Sequence, residues 1–535
     1  MKASDLLVKC LESEGVEYIF GIIGSEVVDI ADSLSESERI KYIPVRHEQG
    51  AAFIADVYAR VSGKTGVCLA TLGPGATNLL TGVASANLDH SPVIAITGQS
   101  GLEEQHQNAH QYINIQRVFE PAAKWSVQIK EANTISEIIR RSFRTANEEK
   151  PGSVLIEIPK NIASENVTAA PLPVTRLPES IPSGPALNRA LELIHNSRKP
   201  FLIIGNGVIR QDAIKEVQML IERLEAPVAT SFMAKGILPK NHPQNFYAIG
   251  FNEKDYALKG MEEADLLMVI GFDMVESPAS HWNKKKVAVL HIDALAAEVS
   301  EYYPVQVELT GNLKEILKLV SNENIHQKQW QPSGELKNRI EASYSITEVA
   351  GNDSTISIEN ILGAVERALT DEMLVISDVG SHKVSIARTF QPKHAKQLII
   401  SNGFASMGIS IPGAIGAKLA APEKTVICIT GDGGALMNFA ELETARRLGL
   451  SFVIILLNDS MLKLEVEKME QQFAEHYGVT FTNPDFVQLA NSFGVKGVRP
   501  KDLQEFEGML NEAVQSKGDI VLIDTILNSK GIAKS

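Results

Sequence analysis

Two carboxylates bracket the segment that most limits what this chain can fold into. Asp432 lies in Gly431-Asp432-Gly433-Gly434, after the apolar, β-rich run 425–430; Asp459 ends Leu457-Asn458-Asp459, after a second apolar run at 451–457. Between them, 435–448 carries Phe439, Leu442 and Ala445 at helical spacing. The segment reads as one strand–helix–strand unit. Its right-handed crossover makes the two strands parallel, with both Asp residues at their carboxyl ends. That edge is where open α/β sheets bind ligands. Two carboxylates beside a Gly-rich turn and a helix N-terminus suit a divalent cation gripping a diphosphate, because Mg²⁺ takes a few carboxylates together with phosphate oxygens and water. Each half alone has a bland reading, as a turn and as a loop opening. The pair across a crossover is much rarer.

A second motif lies far upstream, in Arg46-His47-Glu48-Gln49-Gly50-Ala51-Ala52 and Gly73-Pro74-Gly75-Ala76-Thr77-Asn78. Glu48 opens a predicted helix with Ala52, Ala55 and Ala59 on one face, so that another surface can approach closely. Residues 66–71 form a strand, and Gly73-Pro74-Gly75 is the tight turn into the next helix. A glutamate at a helix start is by itself more often a cap or dipole partner than a catalyst.

A length of 535 residues exceeds one core and points to about three domains. The net charge of −14 argues against a nucleic-acid or anionic-membrane surface. Cys10, Cys68 and Cys428 are too far apart in sequence to suggest a disulfide framework or a zinc site. The first fifteen residues read as an amphipathic helix rather than a signal peptide, and no run is long enough to span a bilayer, so a cytoplasmic location is expected. Three blocks are predicted: 1–165, 186–325 and 356–530. The first linker, near 164–185, holds Pro171, Pro173, Pro178 and Pro182; the second, 324–355, is rich in Gln and other polar residues. The middle block repeats buried runs at 201–204, 226–230, 266–270 and 287–292, with a helix over 213–224. The expected fold class is α/β, with three doubly wound parallel-sheet domains.

These motifs resemble those of the thiamine diphosphate enzymes, and over essentially the whole chain the layout resembles the acetolactate synthase and pyruvate decarboxylase superfamily. The local form is similar to acetolactate synthases in the stretches around Glu48 and Gly73 and in Ala95-Ile96-Thr97-Gly98-Gln99. Asp378-Val379-Gly380-Ser381-His382 and Ser401-Asn402-Gly403 resemble the catabolic, acetoin-pathway branch. The resemblance implies a pyrimidine-binding first domain, a central domain and a diphosphate-binding third domain. It makes Asp432, Asp459 and the carbonyl of Met461 the Mg²⁺ ligands, with Gly73, Gly433 and Gly434 at the cofactor. It sets Ser381 and His382 at the diphosphate, the backbone of Ala405 at the cofactor's amino group, and Met407 as the wedge that bends it. Core filler is the alternative for Met407. Glu48 is implied to share a proton with the far ring nitrogen of the aminopyrimidine, which is acid–base work for a tuned carboxylate. Gln99 and Lys124 match positions lining the substrate channel, with a solvated surface charge the alternative for Lys124. His90 reads more simply as a satisfied loop histidine.

The resemblance also frames the reaction. A 2-oxo acid that has lost CO₂ on the cofactor is either protonated, releasing an aldehyde, or joined to a second pyruvate, giving 2-acetolactate. Decarboxylases of the pyruvate decarboxylase type carry an acidic residue after the first Gly-x-x-Gly and a His-His pair. Here Gly21-Ile22-Ile23-Gly24 is followed by Ser25, and no His-His pair exists. A benzoylformate decarboxylase would carry a histidine where Thr71 stands. Glu465 pulls the other way, since synthases usually have an aliphatic residue there and pyruvate decarboxylases a glutamate that handles protons; a solvated helix residue is its bland reading. The expected function is acetolactate synthase, with non-ligating 2-oxo acid decarboxylase as runner-up and a catalytically silent subunit as a third reading. FAD is not expected, because Ile204-Gly205-Asn206-Gly207 is a lone Gly-x-Gly, and Gly271-Phe272-Asp273-Met274-Val275-Glu276 with His281-Trp282-Asn283 resembles the flavin-free branch. A homodimer or homotetramer is implied, because in this family the cofactor bridges the first block of one subunit and the third of another. Acceptor specificity, a branched-chain or acetoin role, and any regulatory subunit stay open.

Overall fold

The computed structural model describes residues 1–175, 179–251, 255–323, 325–344, 356–516 and 518–527. They form three six-stranded parallel sheets flanked by helices. The first sheet contains β1 (Tyr18–Gly21), β2 (Lys41–Pro44), β3 (Gly66–Ala70), β4 (Val93–Gln99), β5 (Trp125–Gln128) and β6 (Ser153–Pro159), in the order β2-β1-β3-β4-β6-β5. The second contains β7 (Pro200–Ile204), β8 (Val228–Thr230), β9 (Asn245–Ala248), β10 (Leu266–Ile270), β11 (Val289–Asp293) and β12 (Val305–Thr310), in the order β12-β11-β10-β7-β8-β9. The third contains β13 (Met373–Ser377), β14 (Leu398–Ile400), β15 (Thr425–Gly431), β16 (Phe452–Asn458), β17 (Lys496–Val498) and β18 (Ile520–Ile526), in the order β14-β13-β15-β16-β18-β17.

The first and third sheets are wound identically: counted within each sheet, the order is second, first, third, fourth, sixth, fifth. Central strands such as β3, β4, β7, β10 and β16 are buried along their whole length, as parallel strands covered on both faces must be. Apolar helix faces close over them. Leu6, Leu7 and Leu11 pack on the first sheet, and Val217, Leu220, Ile221 and Leu224 on the second.

Several predicted elements differ. The helix expected over 435–448 is two helices, Asp432–Met437 and Glu441–Arg447. It breaks at Asn438, whose side-chain amide donates to the carbonyl of Gly408 (2.9 Å), a tertiary bond that periodicity does not reveal. β9 and β12 were not expected; β12 alternates half-buried and exposed residues, with Leu309 alone buried, rather than forming an apolar run. The polar stretch read as the second linker holds the helix Gly334–Tyr344, which buries Leu336, Ile340 and Tyr344 at four-residue spacing. Residues 324 and 345–355 of that stretch, and 176–178 of the first linker, lie outside the described residues. All three cysteines are buried and unbridged. No helix among the described residues is long and apolar enough to cross a membrane.

Candidate active site

Asp432 and Asp459 sit at the carboxyl ends of neighbouring strands. β15 and β16 pair in parallel with Gly431 opposite Leu457, so the two turns that follow emerge side by side. Asp432 is buried. Its Oδ2 accepts hydrogen bonds from the backbone N–H of Asp459 (3.1 Å) and Ser460 (2.6 Å) and from the Asn483 amide (2.7 Å), whereas among the described residues its Oδ1 accepts from Gly433 N–H alone (2.7 Å). One oxygen is thus saturated by the fold and the other keeps capacity. Asp459 Oδ1 accepts from Met461 N–H (3.3 Å). Burial, then the like charge of Asp432, pushes the Asp459 carboxyl up to about 6. Met461 forms an antiparallel bridge with Thr480, which fixes the backbone of this loop.

This donor set fits a hard divalent cation. Two carboxylates that repel one another, a backbone carbonyl and phosphate oxygens are what Mg²⁺ uses. Among the described residues no group of three or more His, Cys, Asp or Glu side chains is gathered as a metal site, so a cation here would draw its remaining ligands from backbone, phosphate and water.

The segment 403–408 lies over the same turn. A Cβ at Gly433 would stand 3.3 Å from the terminal methyl of Met407 and 3.5 Å from Leu462 and Phe481, so the backbone of the turn stays open beneath Met407. Ala405 holds a left-handed conformation (φ 54°), a strained backbone for a residue with a Cβ. Upstream, Asp89 Oδ1 accepts from Gly403 N–H (2.6 Å), and Arg60 bonds the other oxygen of Asp89 (2.6 Å) while also pairing with Asp56.

Glu48 begins the helix Glu48–Ser62, capped by the His47 imidazole, whose Nδ1 accepts from Gln49 N–H (3.1 Å). The Glu48 carboxyl is buried, and its Oε2 accepts from the Asn78 amide (2.9 Å). Asn78 lies in the helix Pro74–Leu88, which follows β3 through Gly73. Gly73 is left-handed (φ 52°), and a Cβ there would lie 2.4 Å from the carbonyl oxygen of Gln111, so only glycine makes this turn.

Ser381 and His382 open the helix Ser381–Arg388 after β13. The imidazole folds back over the turn, with Cε1 2.9 Å from where a Gly380 Cβ would be. Burial holds His382 well below the ordinary histidine range, and its Nε2 is buried without a partner among the described residues. Its other nitrogen donates to the Asp378 backbone carbonyl, so Nε2 of the neutral ring is an acceptor and would pair with a phosphate oxygen only on protonation.

Gln99 ends β4 and is fully buried. Its amide donates to Glu157 (2.6 Å) and to the carbonyl of Ile113 (3.0 Å), and its oxygen accepts from Ser100 N–H (3.0 Å), so it ties down the loop after β4. Lys124 precedes β5, at the amino edge of the first sheet, opposite the edge that carries Glu48 and Gly73. Its ammonium donates to the Glu148 carbonyl (2.6 Å). Glu465, in the helix Lys463–Phe473, has a side chain 49% exposed and lies 3.4 Å from Lys468. His90 bonds the carbonyl of Pro151 (3.1 Å), the satisfied loop histidine expected for it.

Sequence reasoning missed Asn483, Glu441 and Asp89. Asn483 also reaches Asn458 (2.9 Å), whose amide donates to Asp524 (2.9 Å). Its only sequence signal is an Asn-Pro turn, Asn483-Pro484, which says nothing of a carboxylate half a hundred residues upstream.

The chain belongs to the thiamine pyrophosphate enzymes. It matches the family's N-terminal TPP binding domain over residues 1–118, its central domain over 187–320 and its C-terminal TPP binding domain over 378–525. Among relatives, it is 32% identical to the acetolactate synthase large subunit of Haemophilus influenzae, over 98% of this chain and 94% of that protein. It is 29% identical to the acetolactate synthase of Bacillus subtilis, over 97% and 92% respectively, and 32% identical to a probable acetolactate synthase large subunit of Methanocaldococcus jannaschii, over 99% and 92%.

Proposed function

We propose that the chain is a Mg²⁺-dependent acetolactate synthase that condenses two molecules of pyruvate, with loss of one CO₂, to 2-acetolactate. The observation that carries this reading is the convergence of Asp432, Asp459 and Met407 on one turn, in a chain matched along nearly its whole length by proteins named acetolactate synthase. When bound, thiamine diphosphate supplies a nucleophilic carbon and an electron sink for a 2-oxo acid that loses CO₂.

The residues supply the rest. Asp432, Asp459 and the Met461 carbonyl would hold the cation, and the turn at Gly433 and Gly434 would receive the diphosphate; Ser381 and His382 are read as diphosphate contacts from the family resemblance alone. Glu48 would share a proton with the aminopyrimidine ring, and Asn78 occupies one of its oxygens, leaving the other for that contact. The Ala405 backbone would meet the cofactor's amino group, and Met407 would pack against it. Gln99 shapes the substrate side through the loop it holds. Lys124, bound to a backbone carbonyl at the opposite sheet edge, is read as a packed lysine. The working unit is at least a homodimer, of the flavin-free catabolic type.

Decarboxylation to an aldehyde is the second reading, and Glu465 is the residue that favours it. Purified protein supplied with pyruvate, thiamine diphosphate and Mg²⁺ should yield acetolactate. Acetaldehyde as main product would establish the second reading, and neither product would point to a silent subunit. Flavin absorbance in the purified protein would contradict the flavin-free type.

A further inference from the structure

The shared winding of the first and third sheets sets up a reciprocal arrangement of two buried acids. Each sheet has a helix that follows its second strand: Glu48–Ser62 in the first, Ser410–Ala420 in the third. The two helices press together closely enough that a Cβ on Gly416 would lie 2.4 Å from the carbonyl oxygen of Ile54. In each sheet the third strand leads into another helix, and just beyond that helix stands a carboxylate: Asp89 after Pro74–Leu88, and Glu441 shortly after Asp432–Met437. Asp89 is 2% exposed and Glu441 0%.

Each acid reaches across to the backbone leading into the other sheet's helix. Glu441 Oε1 accepts from the N–H groups of Arg46 and His47 (3.0 Å each), the two residues before Glu48. Asp89 Oδ1 accepts from Gly403 N–H, two residues before Ala405 and four before Met407. Each is steadied at its other oxygen, Glu441 by the Thr444 hydroxyl (2.7 Å) and Asp89 by Arg60 (2.6 Å). Glycine leaves room at both places. A Cβ would come 2.6 Å from Glu441 Oε1 at Gly50, and 2.8 Å from Asp89 Oδ1 at Gly403.

We infer that Glu441 and Asp89 are reciprocal positioning residues: Glu441 sets the start of the helix that presents Glu48, and Asp89 sets the segment that presents Ala405 and Met407. Two backbone N–H groups on one buried carboxylate oxygen fix both the height and the direction of the chain entering the Glu48 helix. A shift of 1 Å at a reacting group costs on the order of 10²-fold in rate, so such anchoring has a kinetic signature. The inference rests on the reading of Glu48 and Met407 given above.

The test uses the full chain, with turnover of pyruvate and calorimetric titration of thiamine diphosphate at saturating Mg²⁺. Glu441→Met removes the acceptor and should lower kcat by roughly 10–10²-fold with KM for pyruvate unchanged. Glu441→Gln keeps an acceptor oxygen and should restore kcat to within about threefold of wild type, allowing for a neutral in place of a charged acceptor. In a Glu48→Gln background, Glu441→Met should add nothing further to the loss of kcat or of thiamine diphosphate affinity, because it acts through Glu48. Asp89→Leu should weaken thiamine diphosphate binding about tenfold in either background, its route running through Met407. If Glu441→Met does not fold, Thr444→Val loosens the same carboxylate and should show a smaller, equally background-dependent loss. Losses that multiply in both backgrounds, or an equal loss from Glu441→Gln, would reduce Glu441 to a structural residue and overturn the inference. A Glu48→Gln variant with full activity and affinity would instead refute the functional reading beneath it.

Discussion

The first and third sheets of this molecule are one winding used twice, and the comparison separates what a fold supplies from what side chains supply. In both, the strand order reverses between the first and third strands, and the loops leaving those strands open outward at the reversal, the place where such sheets take ligands. In the first sheet the third strand leads through Gly73 to a helix whose Asn78 grips Glu48. In the third sheet the equivalent strand leads directly into Asp432, already surrounded by backbone donors. One copy thus presents a lone carboxyl and the other a pair of carboxylates that call for a cation. The repeated winding gives two edges of the ligand-binding kind; on the proposed reading, one serves a ring nitrogen and the other a diphosphate.

If that division holds, the largest effect comes from the third sheet. Asp432→Ala should abolish cofactor retention, lowering turnover by at least about 10³-fold, because several N–H donors lose their acceptor and the cation a ligand. Asp459→Asn should be milder, since an amide oxygen still ligates. Chelation of the cation should mimic Asp432→Ala and be reversed by Mg²⁺; wild-type thiamine diphosphate affinity in Asp432→Ala would remove the site.

The two edges should also be separable between subunits. Equal amounts of Glu48→Gln and Asp432→Ala, each strongly impaired alone, should recover about a quarter of wild-type activity after joint refolding, as expected when half the dimers are mixed and each holds one intact site. Zero recovery would mean that both edges of a site come from one chain.

The packing between the equivalent helices is open to a stability test. Gly416→Val should cost about 1–3 kcal/mol in denaturant unfolding, because the new side chain has to enter the backbone of Ile54 and Tyr58. A variant as stable as wild type would show that the helices can move apart freely.

The second sheet, wound differently, supplies a control through Lys235. This lysine is buried and donates to the Ala387 carbonyl (2.6 Å), and burial pushes it down to about 7. From pH 7 up to about 10 the unfolded chain binds the proton that the folded chain has lost, so stability should rise with pH across that window. Lys235→Met should flatten this slope and stabilise the chain at pH 7 by about 1–2 kcal/mol; an unaltered slope would place the titration elsewhere. The smallest effect is expected at Glu465. With its side chain half exposed and near Lys468, Glu465→Gln should leave the acetaldehyde-to-acetolactate ratio unchanged and stability within about 0.5 kcal/mol. A rise in the share of acetolactate would bring Glu465 to the reacting carbon and strengthen the decarboxylase reading.

Much of this architecture was legible because parallel strands announce themselves. The buried runs ending at Gly431 and Asn458 and the glycines after them are local signals, and they brought Asp432 and Asp459 together correctly. β9 and β12 were illegible for the opposite reason: four residues in one case and an alternating edge in the other carry little apolar signal. The helix Gly334–Tyr344 was hidden because only three of its residues are buried, in a stretch otherwise rich in polar side chains. Glu441 and Asn483 were missed because nothing beside them in sequence reveals an acceptor or donor hundreds or tens of residues away. Glu441 sits among Phe439, Leu442 and Ala445, where an acid reads as an ordinary charged helix position.

The bond from Asp89 to Gly403 spans 314 residues, and those from Glu441 to Arg46 and His47 span 395 and 394. On the ribosome, at roughly 5–20 residues per second, the amino-terminal sheet emerges tens of seconds before either partner exists. Until then Asp89 has Arg60 but no Gly403, and the helix Glu48–Ser62 lacks the helix that covers Ile54 and Tyr58. The amino-terminal third is therefore born with an uncovered apolar flank and an incompletely satisfied acid. Its completion waits on loop closures among the longest the chain can make, the kind that slow folding most. Synthesis of this protein thus has a vulnerable interval whose length is set by the middle of the chain, and lengthening the central block would prolong it without touching the site.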